Sequence, residues 1–296
     1  HLSFYLIILL SFSYFFLFIK HEVGNDSTVS EWLINYEGGF TKRGIIGQLA
    51  IELSRIFEIN LRLIIFLLQS VTCTVYFFLL YKLLKNLRFE RIIILSILTP
   101  IFILYPVAEI EVLARKEILV FSIFLIYLLI PRKNNFKFIS FTIFTTLGIL
   151  IWEPVIFFFP LIFLFELIEN EIKKINLSFF KIVLSFIPSL IVALMIILDP
   201  LTVEEHNIMS FVLKDEFDQN CYMSCGLLQT KSTIYQQFES QFDRYSLEVF
   251  IRYFLIIIIG FYPLFVLLNN SKFKNKNLFL FNLFKKQTNL FYASLL

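Results

Sequence analysis

The 296-residue chain reads as all-α: a polytopic transmembrane helical bundle with an outer interfacial amphipathic helix and one larger outer loop. Two observations predict this. Hydrophobic residues make up 58% of the chain and charged residues 17%, against about 45–50% and 25% in soluble domains. The apolar residues are also concentrated into runs near the length of roughly 20 residues that a helical span needs, giving a mean hydropathy of +0.79. With 39 Phe, 8 Gly and 3 Cys the composition excludes disorder, collagen and a disulfide-dense scaffold, and continuous apolar runs exclude a membrane β-barrel. The net charge of +3 is spread over short loops and points to no nucleic-acid partner.

In chain order, the apolar runs are 2–19, 61–84, 92–108, 118–130, 138–168, 182–198, 249–268 and 278–296. The first lacks a small-residue cleavage site after it and is read as a span. Because the chain begins at His1 and stops within an apolar run, it reads as a fragment of one membrane domain, 1–296. The segments 82–91, 132–137, 173–181 and 272–276 are short and basic, as cytoplasmic loops are. The outer segments are then 20–60, the stretch around 109–117, the break 152–154, and 199–248. Both flanks of 138–168 are basic, so that run must cross an even number of times; it reads as a hairpin turning at Trp152-Glu153-Pro154, with a single kinked helix as the rival. This topology implies a multi-pass membrane protein.

Within the first outer segment, 44–60 has a helical rhythm: Ile46, Leu49, Ala50, Leu53, Ile56 and Phe57 on one face, Gln48, Glu52, Arg55 and Glu58 opposite. It either lies along the membrane interface or packs its apolar face on the spans. Just before it, Asn35-Tyr36-Glu37-Gly38-Gly39-Phe40-Thr41-Lys42-Arg43-Gly44 combines close-approach glycines with a basic pair beside a helix start. That suits a phosphate at the membrane surface, or an anchoring turn for ordinary headgroups.

A second charged group, Glu109, Glu111, Arg115, Lys116 and Glu117, precedes only thirteen apolar residues, so some of these charges must approach the membrane boundary. On a helix starting near Val107, Glu111 and Arg115 would pair at i,i+4; snorkelling is the alternative. Glu153 is a lone carboxylate at the tip of an apolar run, where burial should raise its pKa and make it a proton acceptor, unless it pairs with Arg115 or Lys116. In the last outer loop Cys221 and Cys225 are spaced for a local disulfide, and with His206 fifteen residues away they fall short of a zinc pattern. Motifs of soluble hydrolases, nucleotide motors and metalloproteases do not occur.

The order of these parts resembles the polyprenyl-linked sugar enzymes of bacterial membranes, the GT-C type glycosyltransferases and the O-antigen or exopolysaccharide polymerases. Tyr36-Glu37-Gly38-Gly39-Phe40-Thr41-Lys42-Arg43-Gly44 and the Arg115-Lys116-Glu117 helix start carry the likeness. It departs from the family in lacking a clear acidic signature in the first outer loop, where Asp26, Glu31 and Glu37 are the available substitutes. The resemblance implies a polyprenyl-phosphate-linked sugar donor entering from the membrane lipid and a glycan acceptor. Lys42, Arg43, Arg115 and Lys116 would hold the leaving phosphate and Glu37 or Glu153 would take the acceptor's proton. No cofactor or metal is called for, because the cations supply the positive charge. A transporter or flippase for an envelope precursor and a non-catalytic envelope scaffold are the competing classes; only Gln69, Thr72 and Thr74 offer a polar group near mid-span.

Overall fold

The computed structural model describes residues 2–23, 27–85, 107, 112–129, 134–173, 179–199, 201–221, 223–226, 228 and 246–269. The run 278–296, all but one residue of 92–108, Asp26, Glu109, Glu111 and parts of the basic loops lie outside the described residues. Among the described residues there are helices and turns and no strand.

The first run forms α1 (Leu2–Val23), and 61–84 forms α4 (Leu61–Leu84), opened by the Asn60 side chain accepting from the Arg62 N–H at 2.9 Å. Both are long and apolar enough to cross a membrane, as is the stretch Phe180–Leu198. That stretch is two pieces, α8 (Phe179–Ser185) and α9 (Ile187–Leu198), because Pro188 has no N–H to continue the ladder and the chain turns at Phe186. Shorter apolar helices complete the packing: α5 (Glu117–Leu129), α6 (Asn134–Ile151) and α7 (Phe159–Lys173). Leu6, Leu17, Tyr76, Phe77, Leu80 and Leu125 pack α1, α4 and α5 together, while α5 to α9 share an aromatic core of Tyr127, Phe141, Phe144, Phe159 and Phe186.

The 138–168 run is a hairpin. The N–H of Trp152 closes α6 on Gly148, its extended backbone breaks the helix, and a 3₁₀ turn follows over Glu153–Phe158 with Pro154 in its first turn. Tyr127, whose ring stacks on Phe144 of α6, donates its hydroxyl to Glu166 of α7 at 2.6 Å. The chain therefore returns to the level from which it rose. The last run, read as 249–268, is α12 (Leu247–Asn269), with its side chains exposed from Phe250 to Ile259.

The segments 20–60 and 199–248 hold more structure than their sequence suggests. Residues before the glycine turn form α2 (Ser27–Trp32), whose Thr28 to Trp32 are buried together with Leu33, Ile34 and Asn35. The loop 199–248 contains α10 (Val203–Phe217), started by a capping box in which Thr202 and Glu205 satisfy each other's backbone N–H, and a turn of helix, α11 (Met223–Gly226), against α2.

The amphipathic helix is α3 (Gly44–Phe57), and the face it buries overlaps the predicted apolar face only in part: Ala50 is buried and Ile46 and Leu53 pack against the core. Gly44, Gly47, Ala50, Ile51 and Ser54 are inside, whereas Leu49, Ile56 and Phe57 stand exposed beside the polar stripe. Small side chains win the contact because the backbone of the preceding segment lies directly on the helix. A Cβ on Gly47 would sit 1.9 Å from the Ile34 carbonyl oxygen. Gly47→Ala should therefore destabilise the protein by about 1–3 kcal/mol or more, since the atom in the way is backbone. Leu49→Ala should stay within about 0.5 kcal/mol. Thermal unfolding of the two variants in detergent checks this; equal effects would show that α3 is not clamped at Gly47.

Candidate functional site

Three segments bring their charges to one end of the helices: the turn before α3, the turn before α5 and the tip of the α6–α7 hairpin. Arg43 is the meeting point. Its Nε and Nη2 donate to the two oxygens of Glu153 at 2.6 and 3.0 Å, and its Nη1 donates to Glu31 Oε1 at 2.6 Å. The other oxygen of Glu31 takes Arg115 Nε at 3.3 Å, and Arg115 reaches Glu117 at 3.4 Å. Lys42, more exposed than the rest, lies 3.8 Å from Glu153. Lys116 is wholly buried and donates its Nζ to the Arg43 carbonyl.

The backbone at both cation-bearing turns is left-handed at a non-glycine residue, Arg43 at φ 62° and Ala114 at φ 53°, each costing roughly 1–2 kcal/mol. Neighbours hold these conformations. Lys116 grips the Arg43 carbonyl, and the Ala114 carbonyl accepts from Trp32 Nε1 at 2.9 Å and Gln69 Nε2 at 3.3 Å. The expected continuous helix from Val107 is thus corrected: residues 112–116 are turns, α5 starts at Glu117, and Arg115 pairs with Glu31 and Glu117.

The electrostatics correct a second expectation. Burial does push the Glu153 carboxyl upward, but the hydrogen bonds and charge of Arg43, with Lys42 behind them, hold it below the usual carboxylate range. Lys116 moves the other way. Burial foremost, and Arg43 beside it, bring its ammonium down to about 7 against the pull of Glu31, Glu153 and Glu117.

Glu37 and the glycines serve another arrangement. Glu37 accepts from Arg55 Nη1 at 2.8 Å and from Gln48 at 2.9 Å, and Arg55 holds Glu216 of α10 through two bonds of 2.7 Å. The Arg55 hydrogen bond, outweighing burial, keeps the Glu37 carboxyl low. A Cβ on Gly38 would lie 1.9 Å from the Glu205 carbonyl oxygen, and one on Gly44 would strike the Tyr36 ring. The glycine turn is therefore covered by the start of α10. Cys221 and Cys225 are bonded, with Cα atoms 5.4 Å apart, and Ser224 meets Ser30 of α2 at 3.0 Å.

Of the residues singled out from the sequence, the fold joins Lys42, Arg43, Arg115, Lys116 and Glu153 and sets Glu37 in the neighbouring Arg55 network. Glu31, weighed only as a substitute for an acidic signature, is the bridge between two of the cations. Beside the cluster, an apolar cavity of about 240 Å³ lies between α5, α6, the 3₁₀ turn and α7. Phe124, Phe144, Trp152, Val155, Phe158 and Phe165 are among its walls, so the residue next to Glu153 is on its rim. No family model, curated protein or solved structure matches the chain.

The buried ammonium has a measurable signature. Below its folded value of about 7, Lys116 is protonated whether the chain is folded or not; between 7 and the ordinary 10.5 only the unfolded chain keeps the proton, so this group makes stability rise with pH across that window. In detergent, the melting temperature of Lys116→Met should therefore rise less from about pH 7 to about pH 9 than that of the parent. Parallel curves would mean that Lys116 stays charged in the folded protein.

Proposed function

We propose that the chain is a multi-pass protein of a bacterial plasma membrane that transfers sugar from a polyprenyl-phosphate-linked donor at the outer face, as a glycosyltransferase or polysaccharide polymerase. One observation carries the reading: the guanidinium fork of Arg43, with three further cations in its cluster, holds Glu153, whose chain neighbour Trp152 is a wall of an apolar cavity. A lipid-linked phosphate has both halves of that chemistry. Its hydrocarbon chain suits the aromatic walls, and its oxygens match the planar edge of Arg43. The left-handed backbone at Arg43 and Ala114 supports it too, since strain of this kind gathers where side chains must be held in fixed directions.

In this mechanism the acceptor hydroxyl attacks the anomeric carbon and gives its proton to the Glu153 carboxylate. The new bond forms from the hydroxyl oxygen as the bond from the anomeric carbon to the phosphate oxygen breaks. The electron pair leaves with the lipid phosphate, whose growing charge Arg43, Lys42 and Arg115 offset. Proton transfer to a positioned carboxylate contributes about 10²- to 10⁴-fold.

The transporter reading asks for polar groups at mid-depth that a substrate can use. Those offered by the sequence are tied into the helices instead: Gln69 accepts from His21 at 2.7 Å and Thr72 donates to the Leu68 carbonyl at 2.7 Å, while the Thr74 hydroxyl donates to the Ser70 carbonyl at 2.8 Å.

Arg43→Ala and Arg115→Ala should each lower product by at least about 10²-fold while the protein inserts and accumulates normally. Arg43→Lys should restore only part, because an ammonium keeps the charge and loses the fork. Glu153→Gln should lose turnover and keep the donor. Mass spectrometry of lipid-linked and surface glycans, in cells with and without the gene and with each variant, measures this. An unchanged glycan profile on deletion would overturn the reading.

A further inference from the structure

Three of the five N–H donors of the Arg43 guanidinium are taken by carboxylates, two by Glu153 and one by Glu31. The two partners are not equivalent. Glu31 is sealed in α2, with its side chain 3% exposed, and it serves Arg115 as well. Withdrawing it would take from both arginines the carboxylate they share. Glu153 is 24% exposed, is hydrogen-bonded only along the Nε/Nη2 edge, and sits at the first residue of a 3₁₀ turn, after the extended Trp152. That edge is the one whose geometry fits a carboxylate and a phosphate equally. Lys42, its other cation, is the most exposed member of the cluster.

Resting on the reading above, we propose that Glu153 occupies the donor's phosphate seat on Arg43 and is displaced by the incoming lipid phosphate. The exchange has a chemical consequence. While Arg43 holds it, Glu153 is a poor proton acceptor; once released, it keeps its burial and loses the bonds that opposed it, so its affinity for a proton rises. The groups facing it are Arg43, Lys42 and Lys116, with Glu31 and Glu117 behind the cations. The phosphate's negative charge, now on Arg43, raises the carboxylate's affinity for a proton further. Donor binding thus creates the base that the acceptor needs, and without donor the carboxylate stays silent. No covalent bond changes in this step.

The test is calorimetric titration of the full chain in detergent with geranyl phosphate, a short isoprenyl phosphate, and with geraniol as the uncharged control. At pH 6, runs in buffers of different ionisation enthalpy give the protons taken up on binding. The parent protein should take up more protons than Glu153→Gln, because the phosphate's own titration is common to both. Glu153→Gln should bind geranyl phosphate about tenfold tighter, since the resident competitor has lost its charge. Glu153→Asp retains the charge on a shorter arm and guards against a folding defect in the Gln variant; it should also bind more tightly, by less. Arg43→Ala should lose binding of the phosphate and not of geraniol. If Arg43→Ala loses binding while both Glu153 variants match or fall below the parent, with equal proton uptake, the seat exists and the exchange is refuted. If neither the parent nor Glu153→Gln distinguishes geranyl phosphate from geraniol, the donor site itself is refuted and the exchange with it.

Discussion

Glu31 is the carboxylate on which the charged end of the helices depends. It sits on a short helix among buried residues, and a charge in that position persists only if it is paired and hydrogen-bonded. Its two oxygens are divided between Arg43, from the turn before α3, and Arg115, from the turn before α5. One side chain therefore fixes the relative positions of two segments more than 70 residues apart in sequence, and through Arg43 it fixes the hairpin tip at Glu153 as well.

The close approach that this bridge requires is made by residues without bulk. Gly47 lets the Ile34 and Trp32 carbonyls rest on α3, and Gly38 lets α10 rest on the turn. Trp32 then spans to the Ala114 carbonyl and holds a left-handed residue in place just before Arg115 and Lys116. Packing, backbone strain and charge thus belong to one construction. The small residues set how near the segments come, and the ion pairs and indole bond set their direction.

The long helices were legible because burial in lipid and burial in protein demand the same thing, an apolar run of fixed length, and α1 and α4 follow their runs closely. The hairpin at Trp152 was legible from charge parity and proline chemistry together. The buried face of α3 was legible only in part, since large apolar residues mark the side suited to a membrane interface as readily as the side suited to a core. The helix α10 had a readable signal in Thr202-x-x-Glu205, the capping box, which the acidic look of that loop obscured. The role of Glu31 had none: which carboxylate meets which arginine is settled by tertiary contacts that leave no local pattern. For the same reason the Glu153 pKa was misjudged, because burial could be inferred from the run and the Arg43 fork could not.

The near balance of charge in the cluster follows from its surroundings. Four cations gathered at the end of a helical bundle, beside an apolar cavity, would repel one another strongly where water is scarce. Three carboxylates, Glu31, Glu117 and Glu153, offset them, and Lys116 meets the remaining imbalance by holding its proton weakly. Glu153 is partly exposed, lies next to the cavity rim and rests on a turn rather than inside a helix, whereas Glu31 is locked beneath Trp32's neighbours and shared by two arginines. The asymmetry between these two carboxylates leaves Arg43 with one deeply buried partner and one nearer the surface.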